Sequence, residues 1–169
     1  MLLAGAVLAV AAATALASAP AIEVVGELVA RTCVRALTEG ESDPSTLPVG
    51  SRRLTEAEAG ELGFGSDAVL FETPTRDGAV WVQMVPSCSV LATVSGADRF
   101  IDAISKSLAS RQLTVRNRRD ERDEKGTTTT LEVPVSGRKF VALIATYVTG
   151  EQDRSDPFFQ VTAIAVEKP

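Results

Sequence analysis

Apolar and polar positions change period several times along this chain, and each change marks an element. From Ile22 to Leu37, "IEVVGELVARTCVRAL", apolar residues recur every three or four positions at Ile22, Val25, Val29, Cys33 and Ala36 or Leu37. That spacing predicts an amphipathic helix, with Glu23, Glu27, Arg31 and Arg35 on its outer face. Acids lie early and bases late, as the helix dipole favours, and Glu27 and Arg31 stand at a favourable i,i+4 spacing. "SGADRFIDAISKSLASRQL" carries a second helical stripe at Ala97, Ile101, Ile104 and Leu108, with Ser95 and Asp98 as its start signal and Asp102 and Lys106 placed to pair outside. Between the two, "LTEAEAGELGFG" predicts a short helix capped by Thr55 or Ser51 and stopped by Gly63 or Gly65.

Elsewhere the period is two. "AVLFETPTRDGAVWVQMV" predicts a hairpin turning at Asp77-Gly78, with Val80, Val82 and Met84 on one side of the outgoing strand. In "MVPSCSVLATV" Cys88, Val90, Ala92 and Val94 share one parity, which points Cys88 inward. A brief strand near Leu113 to Val115 precedes the charged run "RNRRDERDEK", and three strands follow at 128–135, 139–148 and 158–167. "KFVALIATYV" is apolar at both parities and belongs in the middle of the sheet, covered on both faces. Ser136-Gly137-Arg138 forms its hairpin turn. The expected fold is α+β: a mostly antiparallel sheet of five to seven strands with two main helices packed on one face, in a single domain over 22–169.

Residues 1–21 stand apart. "MLLAGAVLAVAAATALASAPA" is uncharged and rich in Ala, Val and Leu, the shape of a secretory signal peptide. No Lys or Arg precedes the apolar run. Scission after Ala19 would leave Pro20 at the first mature position, which signal peptidases reject, so cleavage is expected after Ala17 or after Ala21. Retained, residues 2–19 are just long enough to anchor the chain in a bilayer. Either way the rest is exported, to the periplasm or beyond. No lipobox cysteine follows the apolar run.

Export changes the reading of the chain's two cysteines. In an oxidising compartment paired cysteines bond, and Cys33 and Cys88 both lie on predicted buried faces. A Cys33–Cys88 disulfide tying the first helix to the sheet is expected. The spacing is not that of a CxxC redox pair.

Composition narrows the chemistry. Apolar residues make up 45% and charged residues 23%, close to a globular average, so wholesale disorder is not expected. Histidine is absent, which removes His-based triads, HExxH zinc sites and imidazole bases. A net charge of −5 argues against nucleic acid as a partner. Ser136 and Lys139 match S-x-x-K, but the motif sits in a hairpin turn without the S-D-N and K-T-G elements that accompany it in penicillin-binding enzymes. Gly63-Phe64-Gly65 lacks the third glycine of a dinucleotide loop and reads as a helix stop. Glu151, Asp153 and Asp156 lie in one turn without the calcium-loop order. In "RNRRDERDEK" interleaved charges cancel, giving a solvated hairpin tip that only a protein partner would use. No catalytic set, metal site or cofactor is expected.

Trp81 is the one residue with a binding reading. It shares parity with Gln83, opposite Val80, Val82 and Met84, so it is either packed under the short helix at 54–62 or displayed for a partner. The function expected from all this is a non-catalytic binding or accessory module of a cell envelope, meeting a protein partner there. The competing expectation is a small hydrolase using carboxylates or the Ser136/Lys139 pair.

Overall fold

A computed structural model describes residues 19–39, 43–85, 87–93, 97–124, 126–136, 139–148 and 158–167. The first helix, α1, runs through Ala21–Leu28, a π-helical turn at Val29–Cys33 and a last segment Val34–Glu39. A two-residue strand β1 (Arg52–Arg53) and the short helix α2 (Glu56–Glu61) follow. Next come β2 (Val69–Thr75), β3 (Gly78–Val85), β4 (Cys88–Thr93) and helix α3 (Ala97–Ser110). The chain closes with β5 (Asn117–Asp123), β6 (Gly126–Ser136), β7 (Lys139–Val148) and β8 (Phe158–Glu167).

These strands form one antiparallel sheet of eight in the order β1-β2-β3-β4-β8-β7-β6-β5. Two meanders, β1 to β4 and β5 to β8, meet where β4 pairs with β8, with Val90 opposite Val161. Because β4 is central and β5 is an edge, the connection through α3 has to cross the sheet. Pairing leaves alternate side chains on opposite faces. Val80, Val82, Val90, Val161, Leu143 and Leu131 form the inner face, each at most 1% exposed. Helix α1 lies over the middle of it and buries Val24, Val25, Leu28, Val29 and Cys33.

This corrects the expected architecture of five to seven strands with two main helices packed on one face. The sheet has eight strands, and the helical layer is one main helix, Ala21 to Glu39, with a shorter second one. Helix α3 packs chiefly along α1, and Phe100 reaches down to the sheet, its ring 4.6 Å from that of Phe159. The added strand is β1, too short to show a period. One expected strand is displaced: Leu113 to Val115 is not a strand, and the charged segment read as a hairpin tip forms β5. All seven of its residues are exposed. Backbone pairing with β6 holds it, so no apolar alternation was needed to place it there.

Two further expectations change locally. Glu27 pairs with Arg111 at 2.6 Å and not with Arg31, since the π-helical turn at 29–33 adds a residue to the loop of each backbone bond and swings Arg31 out of step. Strand β4 is buried at both parities: Ser89, on its outer side, is 1% exposed and its hydroxyl lies 2.9 Å from that of Thr162. Strand β7 is interior, as its two-sided apolar pattern required. Its inner residues Val141, Leu143 and Ala145 are buried, whereas Phe140 and Ile144 on the other side are half-buried. Ser95, Gly137 and Arg138 lie outside the described residues.

Candidate functional site

The two cysteines are joined. Cys33 and Cys88 form a disulfide with Cα atoms 5.2 Å apart, and both are buried in the main core. The helical stripe delivers Cys33 to the underside of α1, and strand parity turns Cys88 up from the central β4. The bridge therefore fixes the helical layer over the middle of the sheet, and no thiol of this pair is available for chemistry.

On the outer face, α2 builds a second, smaller cluster. Leu54, Ala59 and Leu70 are buried there, with Leu62, Phe64, Ala68 and Trp81 packed around them. Trp81 faces Glu72 on β2 and Leu91 on β4, and it is half-buried. Trp81 thus packs against the cluster under the short helix and stays partly exposed. On the same face, beyond Trp81, lie Gln160, Thr162 and Thr146, half-buried, and Ile164, 43% exposed.

Local chemistry holds α2 in place. The Thr55 hydroxyl accepts from the Glu58 backbone N–H, and the Glu58 carboxylate accepts from the Thr55 N–H at 2.8 Å, a reciprocal cap. Gly63, at φ 85°, follows the helix as a residue in the left-handed region, where glycine is free of a Cβ clash. Arg52 joins Glu58 on the helix to Glu72 on β2, both at 2.7 Å. The Thr55 N–H, then the Arg52 guanidinium, then the Thr55 hydroxyl stabilise the charged form and lower the Glu58 pKa to about 2. A depressed carboxylate contributes stability that is full above its unfolded pKa and is lost as pH falls through the folded one. The clasp on α2 should therefore weaken between about pH 4.5 and about pH 2. The chain has a single tryptophan, so emission from Trp81 reports this region directly. Acid titration is expected to change that emission within this window. Thr55→Ala, which removes a cap worth about 1 kcal/mol, should move the change to higher pH. An emission curve identical in the variant would refute the clasp.

Among the described residues, the other sequence candidates are not assembled into a site. Ser136 and Lys139 face each other across the β6–β7 hairpin. They do not share a helical turn, which is the arrangement that lets lysine activate serine in enzymes with this motif. Glu151, Asp153 and Asp156 lie outside the described residues. Among the described residues, no group of three or more acidic or cysteine side chains is placed to hold a metal ion.

Sequence reasoning missed one basic groove of about 340 Å³, where Arg31, Arg35 and Arg111 surround an apolar floor of Val34, Leu113 and Val135. Arg35 is engaged by Glu39 at 2.7 Å and Arg111 by Glu27, so among the described residues only Arg31 brings uncompensated charge to the groove. The signal was present as the i,i+4 spacing of Arg31 and Arg35, but Arg111 joins them only through the packing of α3 on α1.

No protein-family model matches the chain, and no curated protein and no solved structure matches it. Among the described residues, no helix is long and apolar enough to cross a membrane.

Proposed function

We propose that this chain is an exported domain, periplasmic or secreted, that serves as a non-catalytic binding or accessory module in a cell envelope. The observation that carries this reading is the buried Cys33–Cys88 disulfide, which joins the two cysteines of the chain. Such bonds persist in oxidising compartments and are rare where thiols are kept reduced. The absence of histidine from the sequence, and the place of Ser136 at a strand end opposite Lys139 and not at a helix start, favour this reading over a hydrolase that uses the Ser136/Lys139 pair.

For the contact itself, the partly exposed Trp81 is the anchor. An aromatic that is packed against a cluster and still partly exposed offers large contact area at low entropic cost, the usual character of a dominant interface residue. The partner is a protein of the envelope, with the uncharged outer-face residues Thr162, Gln160 and Ile164 as the adjoining surface.

Fractionation with thiol alkylation tests the compartment. The chain should appear outside the cytoplasm with no alkylatable thiol, and a cytoplasmic chain with two free thiols would overturn the reading. Affinity capture from envelope extracts tests the surface. Trp81→Ala is expected to weaken retention of a specific partner roughly tenfold or more, with Trp81→Phe retaining most of it. Identical captured sets for all three proteins, each verified as folded by circular dichroism, would remove Trp81 as the anchor.

A further inference from the structure

The residues just before α1 are built into the domain. The Ala19 carbonyl accepts a hydrogen bond from the Arg76 backbone N–H at 3.0 Å, and Ala19 packs against the main core. The Ala21 N–H donates to the Asp77 carboxylate at 2.6 Å. Arg76 and Asp77 form the turn between β2 and β3, so a distant hairpin reaches up and holds the start of the helix at two points. Pro20, extended at φ −67° and ψ 150°, is the N-cap, and its carbonyl accepts from Glu23 and Val24 at 3.0 and 3.3 Å. Ala21 itself is 3% exposed.

Each of these contacts answers a need. The first N–H groups of a helix have no partner within it, and a carboxylate there is also favoured by the helix dipole. Asp77 supplies both for Ala21. Scission after Ala21 would delete Pro20 and its carbonyl, take the Ala21 N–H from the Asp77 carboxylate and leave it only the longer contact from the Thr75 hydroxyl at 3.3 Å, and place a new ammonium on half-buried Ile22 at the positive end of the helix dipole. Scission after Ala17 leaves every one of these contacts in the product. It also has the small residues Ala15 and Ala17 at the third and first positions before the cut, and Ser18 after it. Signal peptidases act before the exported chain folds, so the folded state does not shield one bond or the other. It decides which product keeps all the parts of its own first helix.

We propose that the leader is removed between Ala17 and Ser18, and that Ala19 to Ala21 remain as an N-terminal clasp on the Arg76–Asp77 turn. This rests on the export reading above. The reaction is hydrolysis of the Ala17–Ser18 peptide bond: water adds across it, leaving the Ala17 carboxylate on the leader and the Ser18 amine on the mature chain.

The full chain with a C-terminal tag, recovered from the exported fraction, should give an intact mass and N-terminal sequence starting at Ser18. Ala17→Leu, which places a bulky residue before the cut, should abolish that product. Starting at Ile22 would overturn the assignment, as would an oxidised but uncleaved chain in the membrane fraction, and in both cases export itself stands. A reduced chain retained in the cytoplasm would overturn the export reading and this proposal with it. The clasp has its own readout. Asp77→Asn should leave the Ser18 start unchanged while aminopeptidase trims the chain to Ile22 several-fold faster, and an unchanged trimming rate would overturn the clasp.

Discussion

Without the Cys33–Cys88 disulfide, as the Cys33→Ala/Cys88→Ala double variant or after reduction, the protein should lose about 2–4 kcal/mol of stability and roughly 5–15 °C in Tm. The cross-link spans 55 residues, and closing a loop of that length restricts the unfolded chain by about 4 kcal/mol in the entropic model, an upper figure. Both sulfurs sit in the main core, so the double alanine variant also gives up part of its packing. The two routes separate these terms: reduction removes the restraint with sulfur still filling the space, and the alanine pair removes both. Thermal unfolding followed by circular dichroism, with and without reductant, is the measurement. An unchanged Tm under conditions where alkylation confirms two free thiols would show that the bridge contributes nothing.

The second large effect is expected at Gly26. In α1 it faces α3 so closely that a Cβ at this position would lie 2.8 Å from the Ala103 carbonyl oxygen and 2.8 Å from the Ser107 hydroxyl. The hydroxyl can rotate away, but the carbonyl belongs to the backbone of α3 and moves only with the helix. Two terms oppose each other in Gly26→Ala. Helix propensity favours alanine by about 1 kcal/mol, while overpacking costs about 1–3 kcal/mol. The overpacking term is the larger, so Gly26→Ala should be destabilising by about 1 kcal/mol. In Gly26→Val the propensity gain shrinks and the clash grows, giving about 3 kcal/mol. Denaturant midpoints measure both, and a valine variant as stable as the parent would mean that the helices do not cross at this glycine.

Gly26 also illustrates what the sequence made legible and what it did not. A glycine inside a helical stripe is costly and calls for a reason, but the reason lies on α3, which is more than 70 residues away in the chain. The two long helical stripes, the Asp77-Gly78 hairpin, the cap at Thr55 and the inward parity of Cys88 were all readable, since each depends on neighbours within a few positions. Strands β1 and β5 were not. One is too short for a period, and the other is held by backbone pairing and by polar contacts such as the Thr129 hydroxyl donating to Asp120 at 2.7 Å, while its exposed side chains follow no apolar alternation. The Glu27–Arg31 pair failed because a spacing argument assumes an unbroken α-helix, and Arg31 lies within the π-helical turn that begins at Val29. For Trp81, parity placed it on the outer face, but the extent of its cover depends on how Leu54, Ala59 and Leu70 gather under α2. The groove of Arg31, Arg35 and Arg111 was hidden for the same reason, as three segments distant in sequence form it.

Strand β5 has a consequence for how the molecule behaves among its own copies. An edge strand exposes unpaired backbone groups, and a flat apolar edge recruits further strands from neighbouring molecules. Here Arg118 and Asp120, and Arg119 and Glu121, pair along the strand at 3.0 and 2.7 Å, so that an incoming strand would meet a row of hydrated charges. At the opposite edge β1 offers only two residues, with Arg52 already held by Glu58 and Glu72. A sheet of eight strands blunted at both ends resists stacking into fibres, so the protein should stay dispersed where it is crowded. A binding partner would meet its face, because neither edge invites one more strand.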